Sequence, residues 1–248
     1  MLTIGCAPHS GHLVNRVLSF LTRVATRIAA TPLGLIHDRF RWGSLGTYVW
    51  RSRRVPGWTR GREAVELATL CHGLGGDPVV VEIGTFLGAS AILLAGARKL
   101  RGSGTLHCVD PFDATGDAFS APFYRASAAV LRGGLRQAFD ENVRRAGLES
   151  WIRVHAGRAA DVALGWTQPI DFLFIDGDQT YSIVMEEYRR WSPHLKVGGI
   201  IAVHNSIGDP RPPDGHRRLV QEEITPPGYE IVSRKDFTTF ARKLAHAA

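Results

Sequence analysis

The sequence is poor in cysteine and has no long apolar run. Three cysteines occur in 248 residues, Cys6, Cys71 and Cys108, and their odd number and wide spacing match neither a disulfide framework nor a zinc site. We interpret them as reduced thiols of a cytoplasmic protein. No apolar stretch approaches the roughly 18 residues of a membrane span, and the N-terminus does not have the order of charge, apolar run and cleavage site that marks a signal peptide.

Acidic residues are almost absent from the first quarter of the chain. Residues 1–62 contain ten arginines and one acid, Asp38, for a net charge of +9. The remaining 186 residues contain 20 basic and 22 acidic groups, for a net charge of −2. A nearly neutral body argues against a nucleic-acid groove, so we expect no nucleic-acid partner. The basic segment by itself is compatible with an anionic surface.

The length and the change in composition predict one large domain with an added arm. We expect a basic helical arm over residues 1–61 and the main domain over 62–248. Within the arm, apolar residues at three- and four-residue spacing predict an amphipathic helix at 12–30, whose apolar face must be covered. It packs on the body, on a second subunit or on a membrane surface, and we expect a homo-oligomer. Residues 38–61 have weak periodicity and are interpreted as a connector or an ordered arm.

From residue 62 onward, short apolar runs alternate with helical patterns. This alternation predicts an α/β fold with a doubly wound, Rossmann-like parallel sheet. Residues 111–134 interrupt the rhythm with proline and glycine, and we expect a functional loop there. The expected strands are 79–84, 104–110, 151–155, 170–175, 197–204, 229–233 and 237–241. The expected helices are 62–73, 88–100, 135–147, 158–165, 180–191 and 216–224.

The first predicted strand leads into VEIGTFLGAS (81–90), a plausible start of a ligand site. In such a sheet the ligand lies beyond the C-terminal ends of the strands. The turn is not G-x-G-x-x-G, so the dinucleotide fingerprint is absent. Glu82 offers a carboxylate to a cationic or amine-bearing ligand, and Gly84 lets a ligand approach the backbone. Thr85 belongs to the same turn, and Ser90 adds a hydroxyl where the next helix begins.

Two further strand ends carry residues suited to a nucleoside. Asp110 ends the second strand, where an acid is placed to accept hydrogen bonds from both hydroxyls of a ribose. Gly157 and Arg158 follow the third strand, where they would flank an adenine. An ordinary turn at a strand end explains each of these motifs alone, but the three motifs in this order favour a ligand site.

These residues resemble a known family. VEIGTFLGAS, the Asp after the second strand, DFLFIDGDQTY (171–181) and LKVGGIIAVHN (195–205) look like the class I S-adenosylmethionine-dependent methyltransferases. More narrowly, they resemble the small O-methyltransferases that include catechol-type and bacterial sugar and natural-product enzymes. The resemblance covers about residues 62–242 and implies a seven-stranded methyltransferase sheet.

The resemblance also implies a role for each cofactor-site residue. Glu82 and Gly84 would lie against the methionine part of S-adenosylmethionine, with Ser90 at its carboxylate. Asp110 would bind the ribose. Gly157, Arg158 and Ala159 would border the adenine.

The fourth and fifth predicted strands bring a second set of polar residues to the same edge. Asp176 and Asp178 follow the fourth strand, and His204 and Asn205 end the fifth. Adjacent strands lie about 5 Å apart, so Asp176, His204 and Asn205 could ligate one cation, Mg²⁺ or Mn²⁺. Such a cation would hold an acceptor hydroxyl and lower its pKa. Two alternatives remain open: a metal-free site with His204 as the base, and purely structural roles.

The sequence departs from the family pattern at two positions. Gln179 stands where relatives often carry a Lys or His that acts as a base, and His204 stands where an acidic metal ligand is common. We expect Asp176, His204 and Asp178 to carry catalysis. The mixed aromatic and charged loop at 111–134 sits where this fold mounts its acceptor lid.

These observations lead to one expected activity and several alternatives. We expect S-adenosylmethionine-dependent methylation of a hydroxyl on a small molecule, a sugar or glycosylated natural product before a phenol or catechol. The alternatives are a related fold member that uses the metal position for hydroxylation and a non-catalytic module that binds the cofactor.

Overall fold

The computed structural model describes residues 31–208 and 213–245. The amphipathic helix expected at 12–30 therefore lies outside the described residues. None of the helices within the described part of the chain is long and apolar enough to cross a membrane. The strands are β1 (Val79–Ile83), β2 (Thr105–Asp110), β3 (Ile152–Ala156), β4 (Ile170–Ile175), β5 (Leu195–Val203), β6 (Tyr229–Lys235) and β7 (Thr238–Lys243). The helices are α1 (Pro32–Trp42), α2 (Leu45–Ser52), α3 (Gly61–Gly73), α4 (Ala89–Arg101), α5 (Ala121–Val130), α6 (Gly134–Arg145), α7 (Ala159–Leu164), α8 (Tyr181–Trp191) and α9 (Gly215–Glu222), with short 3₁₀ turns at Glu149–Trp151 and Ser192–His194.

The seven strands form one sheet in the order β3-β2-β1-β4-β5-β7-β6. Strands β1 to β5 run parallel, and β7 pairs antiparallel with both β5 and β6. The chain crosses from one side of the sheet to the other between β3 and β4, so β1 and β4 flank the point where the strand order reverses. The α/β, seven-stranded, Rossmann-like fold is confirmed. Every expected strand forms, with ends within two residues of the prediction.

The sheet is buried on both faces, which is why its strands read as continuous apolar runs. Successive side chains of a strand point to opposite faces. Val80 and Phe172 therefore enter the core on the face covered by α3 and α4, whereas Val81 and Leu173 enter the core beneath α8. This two-sided packing fixes the register of β1 against β4 and with it the position of the strand ends that form the site.

Residues 38–61 form more regular structure than their periodicity indicated. Helices α1 and α2 occupy most of this segment, and α2 packs against α4. The ring of Tyr48 fills the space over Gly96, where there is no room for a Cβ atom. Tyr48 and Val49 are both buried in the same core as α4. Of the two interpretations of this segment, the structure agrees with an ordered arm rather than a connector, because burial against a neighbour rather than a repeating apolar stripe holds it.

The loop expected over residues 111–134 contains a helix, α5. Asp117 organises its start, since its carboxylate accepts hydrogen bonds from the backbone amides of Phe119 and Ser120 and from the Ser120 hydroxyl. Asp117 Oδ2 also lies 3.4 Å from the backbone nitrogen of Gln179, in the loop after β4. This contact fixes α5 beside the C-terminal ends of the strands, and the expectation of an irregular segment is corrected accordingly.

Candidate active site

A cavity opens at the C-terminal ends of β1, β2 and β4. Its walls come from the turns after these strands, from the first turns of α4 and α7, from α8, and from the segment before α3. The residues expected for a cofactor that line it are Gly84, Thr85, Ser90, Asp110, Arg158, Ala159 and Asp176, and Asp178, expected for catalysis, lines it as well. The sheet topology thus brings together side chains that are up to 94 positions apart in the sequence.

The backbone conformation at position 84 requires glycine, independently of any ligand. Its φ of +81° is unfavourable for residues with a Cβ atom. A Cβ at this position would also lie 2.6 Å from the carbonyl oxygen of Asp176 and from the Cα of Gly177. The turn after β1 therefore touches the turn after β4. The sequence indicated only the approach of a ligand to the backbone as a reason for Gly84. The structure adds the contact between the two turns as a second reason.

Asp110 holds the turn after β1 from the neighbouring strand. Its Oδ2 accepts hydrogen bonds from the backbone amides of Thr85 and Phe86, both at 2.9 Å, and its Oδ1 accepts one from Phe112 at 2.7 Å. A carboxylate has about four acceptor positions, so one remains for a hydroxyl in the cavity. Burial raises the pKa of Asp110, although the three amides favour its ionised form. The arrangement fits an acid that binds a ribose.

Glu82 lies beneath the cavity and does not line it. It is fully buried, and its Oε2 accepts a hydrogen bond from the Thr85 hydroxyl at 2.8 Å. Burial raises its pKa to about 7, against the hydrogen bonds from Ser90 and Thr85. Its Oε1 is buried without a hydrogen-bond partner among the described residues. We expected Glu82 to meet the ligand directly, but the structure places it behind Thr85 and Ser90, which do line the cavity.

The far wall of the cavity consists of the turn after β3 and one side of α8. Arg158 and Ala159 line it, whereas Gly157 does not and instead donates its amide to the carbonyl of Asp110 at 3.1 Å. Glu187 of α8 also lines this wall, although it is almost wholly buried. Burial raises the pKa of Glu187 to about 8, and the charge of Asp178 adds to this effect.

Asp176 and His204 meet at the edge of the cavity, as the adjacent strands β4 and β5 predicted. His204 Nδ1 lies 2.7 Å from Asp176 Oδ1. Asp176 lines the cavity, and its Oδ2 lies 3.4 Å from the Thr59 hydroxyl. On its other side, His204 Nε2 lies 3.5 Å from Glu63 Oε1. The buried imidazole thus lies between two carboxylates.

This arrangement determines the charge of His204. Burial opposes the protonated form, but the carboxylates of Asp176 and Glu63 outweigh it and raise the pKa of His204 to about 10. For Glu63, burial favours the neutral form, but contact with His204 prevails and holds its pKa below the ordinary value. These contacts favour the imidazolium form of His204. It can orient Asp176 but cannot accept a proton, so it does not fit the role of a metal-free base.

The other two residues expected at this end have different surroundings. Asp178 lines the cavity, and its Oδ1 accepts a hydrogen bond from the backbone amide of Thr180 at 2.7 Å, just before α8 begins. Asn205 occupies a turn with a φ of +49° and is not among the residues that line the cavity. The structure therefore places Asp176 and Asp178 in the wall of the cavity and His204 against Asp176, whereas Asn205 does not line the cavity.

The donor set does not fit the divalent cation expected at Asp176, His204 and Asn205. Both nitrogens of His204 face carboxylates, Nδ1 that of Asp176 at 2.7 Å and Nε2 that of Glu63 at 3.5 Å. Over residues 31–208 and 213–245, no group of three or more His, Cys, Asp and Glu side chains is arranged to hold a metal ion. The carboxylate of Asp176 instead pairs with the buried side chain of His204.

Four aromatic side chains cover the mouth of the cavity. The ring centroids of Trp58 and Phe123 lie 4.9 Å apart, and those of Phe86 and Tyr124 are also 4.9 Å apart. Trp58, Phe86 and Tyr124 line the cavity as well. We call these four residues the ring cluster. Their rings are inclined to one another by 40–82°, so they form an apolar surface of several tilted faces rather than a single plane.

Sequence reasoning missed several residues of this site. Glu63 was read only as part of a helix, and Trp58 and Thr59 only as part of the connector. The spacing Arg60-x-x-Glu63 is typical of a helix start, and Glu63 does accept a hydrogen bond from the Arg60 amide at 3.1 Å. The helix-start pattern therefore predicts the hydrogen bond that one carboxylate oxygen of Glu63 accepts from the Arg60 amide. The contact of Glu63 with His204 crosses 141 residues, and no local pattern could predict it.

The order of the sheet and the position of the cavity define a nucleotide-type ligand site of the class I methyltransferase kind. Residues 81–206, about half of the chain, match the family model described as a methyltransferase domain. The chain therefore belongs to this methyltransferase family. The resemblance to class I S-adenosylmethionine-dependent methyltransferases, made on VEIGTFLGAS and the three later motifs, is confirmed, as is S-adenosylmethionine as the cofactor.

Solved structures of similar fold agree with this assignment. The O-methyltransferase from Bacillus cereus in complex with S-adenosylhomocysteine shares 19% identity, with a TM-score of 0.54 over 81% of this chain and 90% of that one. Cofactor-bound Rv0187 from MTB shares 20% identity, with a TM-score of 0.57 over 85% and 95%. The O-methyltransferase NovP shares 17% identity, with a TM-score of 0.57 over 74% and 80%. At these identities the likeness concerns the fold.

Proposed function

We propose that this protein transfers the methyl group of S-adenosylmethionine to a hydroxyl oxygen of a small molecule. The observation that carries the proposal is Asp176, a carboxylate at the edge of the cofactor cavity that is oriented by the buried imidazolium of His204. It is the group best placed to receive a hydroxyl hydrogen bond between the cavity and the ring cluster. The O-methyltransferases among proteins of similar fold support transfer to oxygen.

The cofactor fits the cavity by the chemistry of its walls. Asp110 has an acceptor position left for a ribose hydroxyl, and Ser90 lies in the first turn of α4, where backbone amides favour a carboxylate. Arg158 and Ala159 line the opposite wall, as proposed for an adenine. When bound, S-adenosylmethionine supplies an electrophilic methyl group on a sulfonium.

The residues of this chain then have to position one oxygen and remove one proton. Asp176 accepts the hydrogen bond of the acceptor hydroxyl and takes its proton as the oxygen–carbon bond forms and the carbon–sulfur bond breaks. His204 keeps the Asp176 carboxylate in one orientation, and Glu63 keeps His204 charged. We propose that Asp178 contacts the ligand from the neighbouring wall of the cavity. Orientation of this kind accounts for a large part of catalysis in bimolecular reactions.

The ring cluster favours an aromatic acceptor. Trp58, Phe86, Phe123 and Tyr124 offer stacking and edge contacts to a planar molecule. The sequence favoured a sugar or glycosylated compound on the mixture of charges and rings in residues 111–134. One of those charges, Asp117, is buried and holds α5, so it is not available to a ligand. We therefore propose a phenolic hydroxyl first and a sugar hydroxyl second.

We propose that the reaction uses no divalent cation at Asp176. The charge that a cation would contribute is supplied in part by His204, whose pKa of about 10 keeps it protonated at neutral pH. The same arrangement gives no support to hydroxylation at a metal. The position of Asp176 in the wall of the cavity favours catalysis over a module that only binds the cofactor.

Cys71 and Cys108 are buried free thiols, which supports the cytoplasm as the location.

The experiment is a methyl-transfer assay over phenols and sugars that measures S-adenosylhomocysteine release with and without a chelator. We expect turnover of a phenolic acceptor that survives thorough chelation. Asp176→Asn should lower kcat by about 100-fold or more, the usual range for loss of a general base. Its affinity for S-adenosylhomocysteine, measured by calorimetry, should stay close to that of the wild type.

Two results would contradict the proposal. Activity that disappears with the chelator and returns with Mg²⁺ or Mn²⁺ would restore the metal site predicted from the sequence. Binding of the cofactor without turnover of any hydroxyl compound would favour the non-catalytic module.

A further inference from the structure

Helix α1 carries an apolar stripe that faces solvent. Leu33, Ile36 and Phe40 are 70%, 64% and 93% exposed, although large apolar side chains at regular spacing usually pack against another element. Successive residues of a helix are about 100° apart, so these three lie within one narrow arc of the helix surface. The opposite side of α1 is anchored, since Asp38 is fully buried and its carboxylate pairs with Arg53 at 2.7 Å.

Exposed cationic side chains lie on both sides of this stripe. By helical geometry Arg39 is on one flank and Arg41 on the other, and both are exposed. Asp38 is the only acidic residue among the first 62, and its charge is already neutralised by Arg53. The surface around the stripe is therefore cationic, with no acidic side chain of α1 or α2 to balance it.

We propose that this stripe docks on the surface of an anionic lipid bilayer. A helix with apolar residues on one arc and arginines on its flanks lies in the plane of a membrane interface, with the apolar side chains among the acyl chains and the guanidinium groups at the headgroups. The net charge of +9 over residues 1–62 adds long-range attraction to such a surface.

Charge complementarity favours a membrane over a second copy of the chain. A two-fold contact through the stripe would place the flanking Arg39 and Arg41 of both copies in one interface. Neither α1 nor α2 offers an exposed carboxylate to pair with them. Such like-charge contacts are unfavourable at an interface, whereas anionic headgroups would neutralise all of these arginines. The homo-oligomer expected from residues 12–30 remains a separate prediction.

The test is flotation of the full-length protein with lipid vesicles. We expect binding to phosphatidylcholine vesicles that contain about 30% phosphatidylglycerol and no binding to pure phosphatidylcholine. Binding should weaken in about 0.5 M salt, where charges are screened within a few ångströms. The double variant Ile36→Ser/Phe40→Ser should lower the partition coefficient by about tenfold or more, because two large apolar side chains are lost.

A matched double variant controls for loss of exposed apolar area elsewhere. Phe119 and Val130 are 71% and 82% exposed and lie outside α1, so Phe119→Ser/Val130→Ser should bind vesicles like the wild type. The proposal is overturned if the wild type does not bind anionic vesicles, or if the α1 variant binds as well as the control. It is also overturned if light scattering shows a wild-type dimer that the α1 variant converts to monomers, since the stripe would then be an interface between copies.

Discussion

At the scale of single residues, the charge of His204 depends on two carboxylates from distant parts of the chain. Asp176 follows β4, whereas Glu63 lies in the first turn of α3. Glu63 is also held from the sheet, since its Oε2 accepts hydrogen bonds from the Phe237 amide and the Thr238 hydroxyl. The orientation of Asp176 therefore depends on contacts that begin where β7 starts, at residues that do not line the cavity.

Replacing Glu63 tests this dependence. In Glu63→Gln the shape is kept, but one of the two carboxylates that stabilise the imidazolium is lost, so the pKa of His204 should fall by about one to three pH units. Activity requires protonated His204 in our proposal. The alkaline limb of the kcat profile should therefore move to lower pH by the same amount, as measured by turnover across pH and by NMR titration of the histidine.

The change at Glu63 should leave the cofactor untouched. Glu63 does not line the cavity, so the affinity for S-adenosylhomocysteine should match that of the wild type. Glu66, one turn further along α3, accepts a hydrogen bond from the Ser233 hydroxyl and has no contact with His204 among the described residues, so Glu66→Gln is the matched control. An unchanged pH profile in a folded Glu63→Gln protein would show that Glu63 has a structural role alone.

At the scale of secondary-structure elements, α5 connects the lid of the cavity to the catalytic edge. Its Tyr124 lines the cavity, and its Phe123 packs on Trp58 from the segment before α3. Asp117 ties the start of the helix to the loop after β4. The acceptor side of the cavity thus consists of two segments that pack through aromatic rings and lie outside the sheet.

Phe123→Ala should weaken acceptor binding and spare the cofactor. Phe123 is not a cavity-lining residue, but it supports Trp58 and Phe86, and aromatic pairs contribute about 0.5–1.5 kcal/mol each. We expect the KM of the acceptor to rise by about 2- to 10-fold, with kcat little changed. Phe119→Ala, which removes an exposed ring outside the ring cluster, is the control. Equal effects of the two variants on KM would contradict a supporting role for Phe123.

The elements differ in how well the sequence predicted them. Strands such as β1 and β4 are buried on both faces, so their sequences are continuous apolar runs that predict a strand. Their predicted and observed ends agree within two residues. Helices α2 and α5 have only 8 and 10 residues, which is too few turns for an apolar repeat to predict them. The order of the strands in the sequence predicted the cofactor-lining residues at the strand ends. It could not predict the contact of Glu63 with His204 or the ring cluster, because both depend on packing between elements.

At the scale of the whole molecule, buried groups with altered pKa values link stability to pH. Burial raises the pKa of Glu82 to about 7 and that of Glu187 to about 8. For His204, burial acts against protonation, but its two carboxylate neighbours raise the pKa to about 10. All three groups therefore bind protons more tightly in the folded than in the unfolded chain.

Stability should consequently fall as the pH rises from mildly acidic to alkaline. Where the folded state holds more protons than the unfolded state, the free energy of unfolding decreases with pH. For Glu82 and Glu187 this range runs from the unfolded pKa near 4.5 to about 7 and 8, and for His204 from 6.5 to about 10. Below the unfolded pKa of 6.5, His107 and His216 act in the opposite direction, because burial lowers the pKa of each to about 4 in the folded protein. The melting temperature at constant ionic strength should therefore decline across about pH 6.5–10, and Glu187→Gln should flatten the decline only below about pH 8. A melting temperature that rises over this interval would mean that Glu82 and Glu187 are ionised in the folded protein, and the neutral carboxyls beside the cavity would then have to be abandoned.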